Sequence, residues 1–152
     1  MANTDDSTIR EQLRSLAEQY ARGVDRHDDV EGFVALFLPD AVIEIFDPSD
    51  ADEPRVVPSE RIARIPESIQ RYAKTFHFLG QSTYDIGDGE ASGEVYCIAH
   101  HLTPDQHGGT NYVMYIRYQD VYRPDDDGVW KFARRALRVD WTETRAANPP
   151  TK

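Results

Sequence analysis

The chain reads as an α+β domain in which helices come first and a strongly curved, mostly antiparallel sheet then wraps around them as a cone. Three observations predict this. Apolar residues recur at helical spacing early on, at Ile9, Leu13, Leu16, Tyr20 and Val24. After Phe76 the chain changes to long segments rich in Val, Ile, Tyr and Phe. Short turns bearing glycine or proline separate those segments, so neighbouring strands are joined as hairpins.

Taken in order, residues 1–7 are polar and are expected to be flexible. The first helix starts at Thr8 and ends near Asp25. After the turn Arg26-His27-Asp28-Asp29, the spacing of Asp28 and Glu31 suggests a capping box. It would open a short second helix carrying Phe33, Leu36 and Phe37, which Pro39-Asp40 stops. Residues 41–46 alternate as a strand, and Asp47 to Pro58, rich in Asp and Pro, read as a surface loop. Ser59 can cap a third helical stretch, interrupted at Pro66, that buries Ile62, Ile65, Ile69 and Tyr72.

Four strands follow, over 76–86, 91–103, 111–123 and 129–142. Their turns are Gly87-Asp88-Gly89, Pro104 to Gly109, and Pro124 to Gly128. One domain over 8–142 is expected, with a flexible tail over 143–152 that contains Pro149-Pro150.

Composition narrows the function. With 152 residues and 39% hydrophobic content the chain can bury a real core. The net charge of −10 repels phosphate backbones and anionic lipid, so neither nucleic acid nor membrane is expected as a partner. No apolar run approaches the ~20 residues of a membrane span. A single cysteine, Cys97, allows no internal disulfide and suits a reducing cytoplasm. No Gly-rich phosphate loop, Gly-x-Ser-x-Gly elbow or metal-ligand spacing is present, so no cofactor or metal is expected.

Two polar residues stand out. His77 lies between Phe76 and Phe78 in a strand-like run, where an imidazole has no evident packing role. Asp25 ends the first helix, where a carboxylate is mildly unfavourable with the helix dipole and so invites a reason. If the fold joins them, the aspartate can orient a histidine able to accept a proton near neutral pH.

Several strings resemble the SnoaL-like branch of the nuclear transport factor 2-like superfamily. They are residues 20–25, Gly32 to Phe37 running into Pro39 to Glu44, Tyr118 to Tyr122, and Asp127 to Arg135. The resemblance covers 8–142 and implies a cystatin-like α+β barrel with a pocket at its open end. The polar pattern is most similar to scytalone dehydratase, bile-acid 7α-dehydratase and hexachlorocyclohexane dehydrochlorinase, in which an Asp ends helix one and a His lies on an early strand. By that resemblance Asp25 and His77 form a dyad, Tyr20 is a hydrogen-bond donor, and Arg135 of the Arg134-Arg135 pair faces inward. An inward arginine should meet a carboxylate or the substrate. A further polar residue falls on His100 or His101, which point to opposite faces, and His100 is favoured because its spacing from His77 fits the resemblance better. The general-base position of ketosteroid isomerase falls on Ile45, which argues against that enzyme's chemistry here.

The expectation is a cofactor-independent lyase (a dehydratase or other eliminase) or isomerase acting on a hydrophobic cyclic small molecule. A noncatalytic binding or oligomerisation module and a polyketide-type cyclase are the alternatives. Tyr112, Tyr115, Tyr118 and Tyr122 supply aromatic surface on one strand, consistent with a homodimer or homotrimer.

Overall fold

The computed structural model describes residues 4–103 and 109–148. The expected turn at Pro104, the Pro149-Pro150 tail and the first three residues lie outside them. Helix α1 runs over Thr4–Arg26, so it begins earlier than the polar composition of residues 1–7 suggests. Asp5 and Asp6 occupy its first turn, where negative charge complements the helix dipole. One face, made of Leu13, Leu16, Ala17, Tyr20 and Val24, is buried. The helix ends through His27, which takes a left-handed φ of 56° and returns its N–H to the Gly23 carbonyl at 3.1 Å.

Helix α2 spans Val30–Val34 and is capped by Asp29, whose side chain accepts from Gly32 N at 2.8 Å. Asp28 does not cap; it pairs with Arg22 instead. Phe37 belongs to the next strand, not to this helix. Gly23 lets α2 come close, since a Cβ there would lie 2.7 Å from the Phe33 ring.

Strand β1 covers Phe37–Asp47 and β2 covers Asp50–Pro58. The segment expected as a loop is therefore mostly an edge strand, paired antiparallel to β1 from Val42↔Pro58 to Asp47↔Asp50. Pro39 lies within β1, in an irregularity between Phe37 and Val42 where the ladder to the last strand skips. A 3₁₀ turn at Ser59–Arg61 leads to α3, Arg64–Ile69. Ser59 makes no side-chain cap, and Pro66 does not interrupt α3 but sits in its first turn, where no intrahelical N–H is lost.

The remaining strands are β3 (Lys74–Ile86), β4 (Ala91–Leu102), β5 (Gly109–Pro124) and β6 (Trp130–Ala147). Strand β6 continues five residues past the expected domain boundary, to the pair Gly109↔Ala147. The order is β2-β1-β6-β5-β4-β3, antiparallel except for β1 against β6. The sheet curves without closing, and β2 and β3 are its two edges.

Helix α1 packs into the concave face. Arg14 and Arg10 tie it to β3 by donating to the carbonyls of Gly80 and Tyr84, each at 2.9 Å. On β4 the small residues Val95, Cys97 and Ala99 are buried on that same side. Of the four β5 tyrosines, Tyr118 and Tyr122 are core residues. Tyr115 lies flat on Trp141, with centroids 4.1 Å apart. Among the described residues no helix is long and apolar enough to cross a membrane.

Candidate active site

The last turn of α1 carries Asp25 to the start of β3. Its carboxylate takes three hydrogen bonds from that strand: His77 Nδ1 at 2.7 Å, His77 backbone N at 2.9 Å and Thr75 hydroxyl at 2.9 Å. Thr75 and His77 both point inward by strand alternation, while Phe76 and Phe78 point out. Burial alone would raise the Asp25 pKa, but the bonds from His77 and Thr75 outweigh it and hold the carboxyl below its ordinary value. A carboxylate can only accept, so His77 donates through Nδ1–H. In the neutral ring Nε2 is then the nitrogen with a free lone pair.

His101 on β4 is the second inward imidazole. Its ring lies edge-on to His77, with centroids 5.7 Å apart. Nδ1 is 3.1 Å from the Tyr112 carbonyl, which can only accept, so here too Nε2 carries the lone pair. Burial lowers the His101 pKa to about 4, so it is neutral at pH 7. His100, the neighbour favoured from sequence, faces the opposite side of the sheet. Its Nδ1 meets the Asn111 side chain at 2.8 Å, beside Phe76 in a shallow outer depression. The structure does not bring His100 to Asp25 and His77.

Tyr20 is almost fully buried and lines the cavity. Burial raises its hydroxyl to about 12 despite the opposing pull of Arg135, so it stays protonated and able to donate. Arg135 points inward but does not line the cavity; it lies behind the floor. Its guanidinium carbon is 3.7 Å from the Tyr118 ring centre and 4.1 Å from that of Tyr20. Its carboxylate partner is Asp120, with Nε to Oδ1 at 3.4 Å and both side chains wholly buried. Tyr122 donates to the other Asp120 oxygen at 2.9 Å. Burial raises Asp120 to about 6, with Arg135 and Tyr122 limiting the rise. Arg135 thus supports Tyr20 and Tyr118 from behind.

A cavity of about 530 Å³ opens beside the dyad. Ile45, Met114, Ile116 and Leu137 give it an apolar floor. Ile45 brings no titratable group to the cavity. The outer wall comes from β2 and the α3 segment and carries several arginines. Tyr72 and Tyr112 also face the cavity, with the Tyr72 ring 4.9 Å from that of His101. From sequence Tyr72 is expected in the core and Tyr112 at a subunit interface, and Thr75 carries no expectation. The spacing of Thr75 and His77 on one strand face is the signal that could have found Thr75. Among the described residues no group of three or more His, Cys, Asp or Glu is arranged to hold a metal.

Fold and site together define a helix-filled, open-ended curved sheet of the nuclear transport factor 2-like type. The chain belongs to the SnoaL-like domain family, which matches residues 5–136. Among solved structures it is similar to a proposed scytalone dehydratase of Novosphingobium aromaticivorans, at 24% identity and TM-score 0.74, covering 99% of both chains. It is also similar to a hexachlorocyclohexane dehydrochlorinase of Novosphingobium barchaimii, at 14% identity and TM-score 0.79, again over 99% of each chain. A protein of Kribbella flavida shares 18% identity and TM-score 0.75 over 90% of this chain and 94% of its own. No curated protein matches the chain in sequence.

Proposed function

We propose that the protein is a cofactor-independent lyase, a dehydratase or other eliminase, or an isomerase, acting on a hydrophobic cyclic small molecule. The observation that carries this reading is the Asp25–His77 bond of 2.7 Å beside the cavity. His77 Nε2 takes a proton from a carbon next to an activating carbonyl or a leaving group. Asp25 fixes the tautomer and stabilises the imidazolium that forms. The C–H electron pair becomes the new double bond, and the leaving group departs with its own pair. In a dehydration the proton on His77 then passes to the departing hydroxide as water; in an isomerisation it returns to a different carbon. Tyr20, kept protonated, donates to the oxygen that gains charge. His101, neutral and with Nε2 free, accepts from a substrate hydroxyl and orients it. General acid–base work of this kind contributes roughly 10²–10⁴-fold.

The relatives of this fold named as a scytalone dehydratase and a dehydrochlorinase support elimination. A noncatalytic binding cup would need the open cavity but not the hydrogen-bonded dyad beside it. For assembly, a homodimer or homotrimer through the outer face of the sheet fits the exposure there of Phe76, Phe78 and Trp141. The lone, buried Cys97 is compatible with the cytoplasm.

The test is turnover of a panel of cyclic β-hydroxycarbonyl compounds, followed by the absorbance of the conjugated product. At least one should be turned over, and both His77→Gln and Asp25→Asn should slow that turnover by roughly 10²–10⁴-fold while binding persists. A cyclase would lose activity in Asp25→Asn but only slow in His77→Ala. Binding without turnover across the panel would favour the noncatalytic cup.

A further inference from the structure

The cavity that carries the proposed chemistry has an unexpected rim. Arg55 on β2, Arg61 in the 3₁₀ turn, Arg64 on α3 and Arg71 just after it all line the cavity and are all exposed. One carboxylate, Asp47, shares the lining, and it is occupied by its own turn through Ser49 N at 2.9 Å and Ser49 hydroxyl at 2.6 Å. This is a local excess of positive charge in a chain whose net charge is −10. Elsewhere arginines readily find carboxylates, as Arg22 does with Asp28 and Arg117 with Asp140. Among the described residues none of the four rim arginines pairs with one. Glu60 and Glu67 lie on the same segment but outside the lining. Arg71 alone has a neutral partner, donating to the Tyr72 hydroxyl at 3.2 Å.

Unpaired cations gathered at the mouth of an apolar cleft focus potential on whatever enters it. Guanidinium groups suit planar, doubly hydrogen-bonded oxyanions such as carboxylate and phosphate. We propose that the molecule taken by this cavity carries an anionic group, carboxylate or phosphate, which the Arg55–Arg61–Arg64–Arg71 rim holds while the apolar ring reaches the dyad. This inference rests on the reading of the cavity as a substrate site and specifies the substrate class. The anion is either a carboxylate on the ring itself or a phosphate on a carrier joined to the ring.

The experiment compares two fluorescent probes that differ by one charged group: anilinonaphthalene sulfonate and the neutral phenylnaphthylamine. The sulfonate should bind at least ~10-fold tighter, and added salt should weaken it alone. In the triple variant Arg55→Gln/Arg61→Gln/Arg64→Gln that margin should disappear while the neutral probe binds as before. Arg71 stays because its replacement would also disturb Tyr72. The neutral probe reports whether the variant keeps its cavity, and the salt dependence of the unaltered protein decides the matter if it does not. Equal affinity for the two probes, a salt-insensitive sulfonate, or a triple variant that keeps the full margin would overturn the proposal. Displacement of the sulfonate by naphthoate assigns the ring carboxylate, displacement by coenzyme A assigns the carrier phosphate, and displacement by neither counts against an anion site. Because neither probe reacts, His77→Gln should keep the margin. A margin without any elimination activity would sink the proposed chemistry alone, and elimination of neutral compounds without a margin would sink the rim alone.

Discussion

His77 and His101 meet edge to face with ring centroids 5.7 Å apart, yet each gives its Nδ1 to a different acceptor. For His77 the acceptor is a carboxylate, Asp25; for His101 it is a carbonyl, that of Tyr112. In the proposed reaction the first imidazole would hold the abstracted proton, while burial keeps the second neutral. The division of labour follows from what each Nδ1 touches.

Replacing Asp25 with Asn should lower kcat by roughly 10²–10⁴-fold with little change in KM, because orientation and imidazolium stabilisation are lost while the cavity is not. Steady-state kinetics on any compound turned over by the unaltered protein measures this. A variant with near-normal kcat would remove Asp25 from the mechanism.

His101 sets an acid limit on stability. Its folded pKa of about 4 lies below the ordinary 6.5, so between those values the unfolded chain holds a proton that the folded one does not. Its stabilising contribution is therefore present above pH 6.5 and is lost as pH falls through about 4. At ~1.4 kcal/mol per tenfold the full span is roughly 3 kcal/mol. Asp120, raised to about 6, acts in the opposite direction over much of the same window. The measurement is accordingly a difference: urea unfolding of the native chain minus that of His101→Gln, at several pH values. That difference should shrink from pH 7 to pH 4, and a constant difference would refute it.

The Arg135–Asp120 pair is wholly buried, so breaking it from one side leaves a charge without its partner. Arg135→Met should cost about 3–5 kcal/mol in urea unfolding. Adding Asp120→Leu should restore much of that loss, since it removes the stranded carboxylate. No recovery in the double variant would mean that the stacking of Arg135 on Tyr20 and Tyr118 is the larger contribution.

Gly23→Ala is a test of the α1–α2 contact. An alanine normally stabilises a helix by up to ~1 kcal/mol over glycine. Here its Cβ would lie 2.7 Å from the ring of Phe33, which is buried against Tyr20 and Phe37. Overpacking of this kind costs about 1–3 kcal/mol, so thermal unfolding should show a net loss of stability. A gain would mean that α2 can move away freely.

Much of this architecture was legible because hydrophobic period speaks directly to element type. The stripe from Leu13 to Val24 and the four late strands fell within a few residues of their observed places. Strand β2 was not legible. An edge strand exposes most of its residues, and of Asp50–Pro58 only Val57 is buried, so the segment has the composition of a loop and is ordered by pairing to β1. The choice between His100 and His101 failed for a related reason. Val95, Cys97 and Ala99 correctly marked the face packed by helix, but core and cavity share that concave face, and His101 simply continues it beyond the helix end. Alternation required one of Arg134 and Arg135 to face inward, and the resemblance chose Arg135, which is the buried one. Only the structure could tell which of the two expected partners it meets, because Asp120 reaches it through strand pairing between β5 and β6.

The proposed role of His77 as a base held by Asp25 is reported by the tautomer of its ring, without need of a substrate. Nitrogen-15 NMR of the labelled protein should find the neutral form of His77 with Nδ1 protonated and Nε2 bare, and Asp25→Asn should disturb that state. A neutral His77 protonated on Nε2, or a tautomer unchanged in Asp25→Asn, would contradict the dyad.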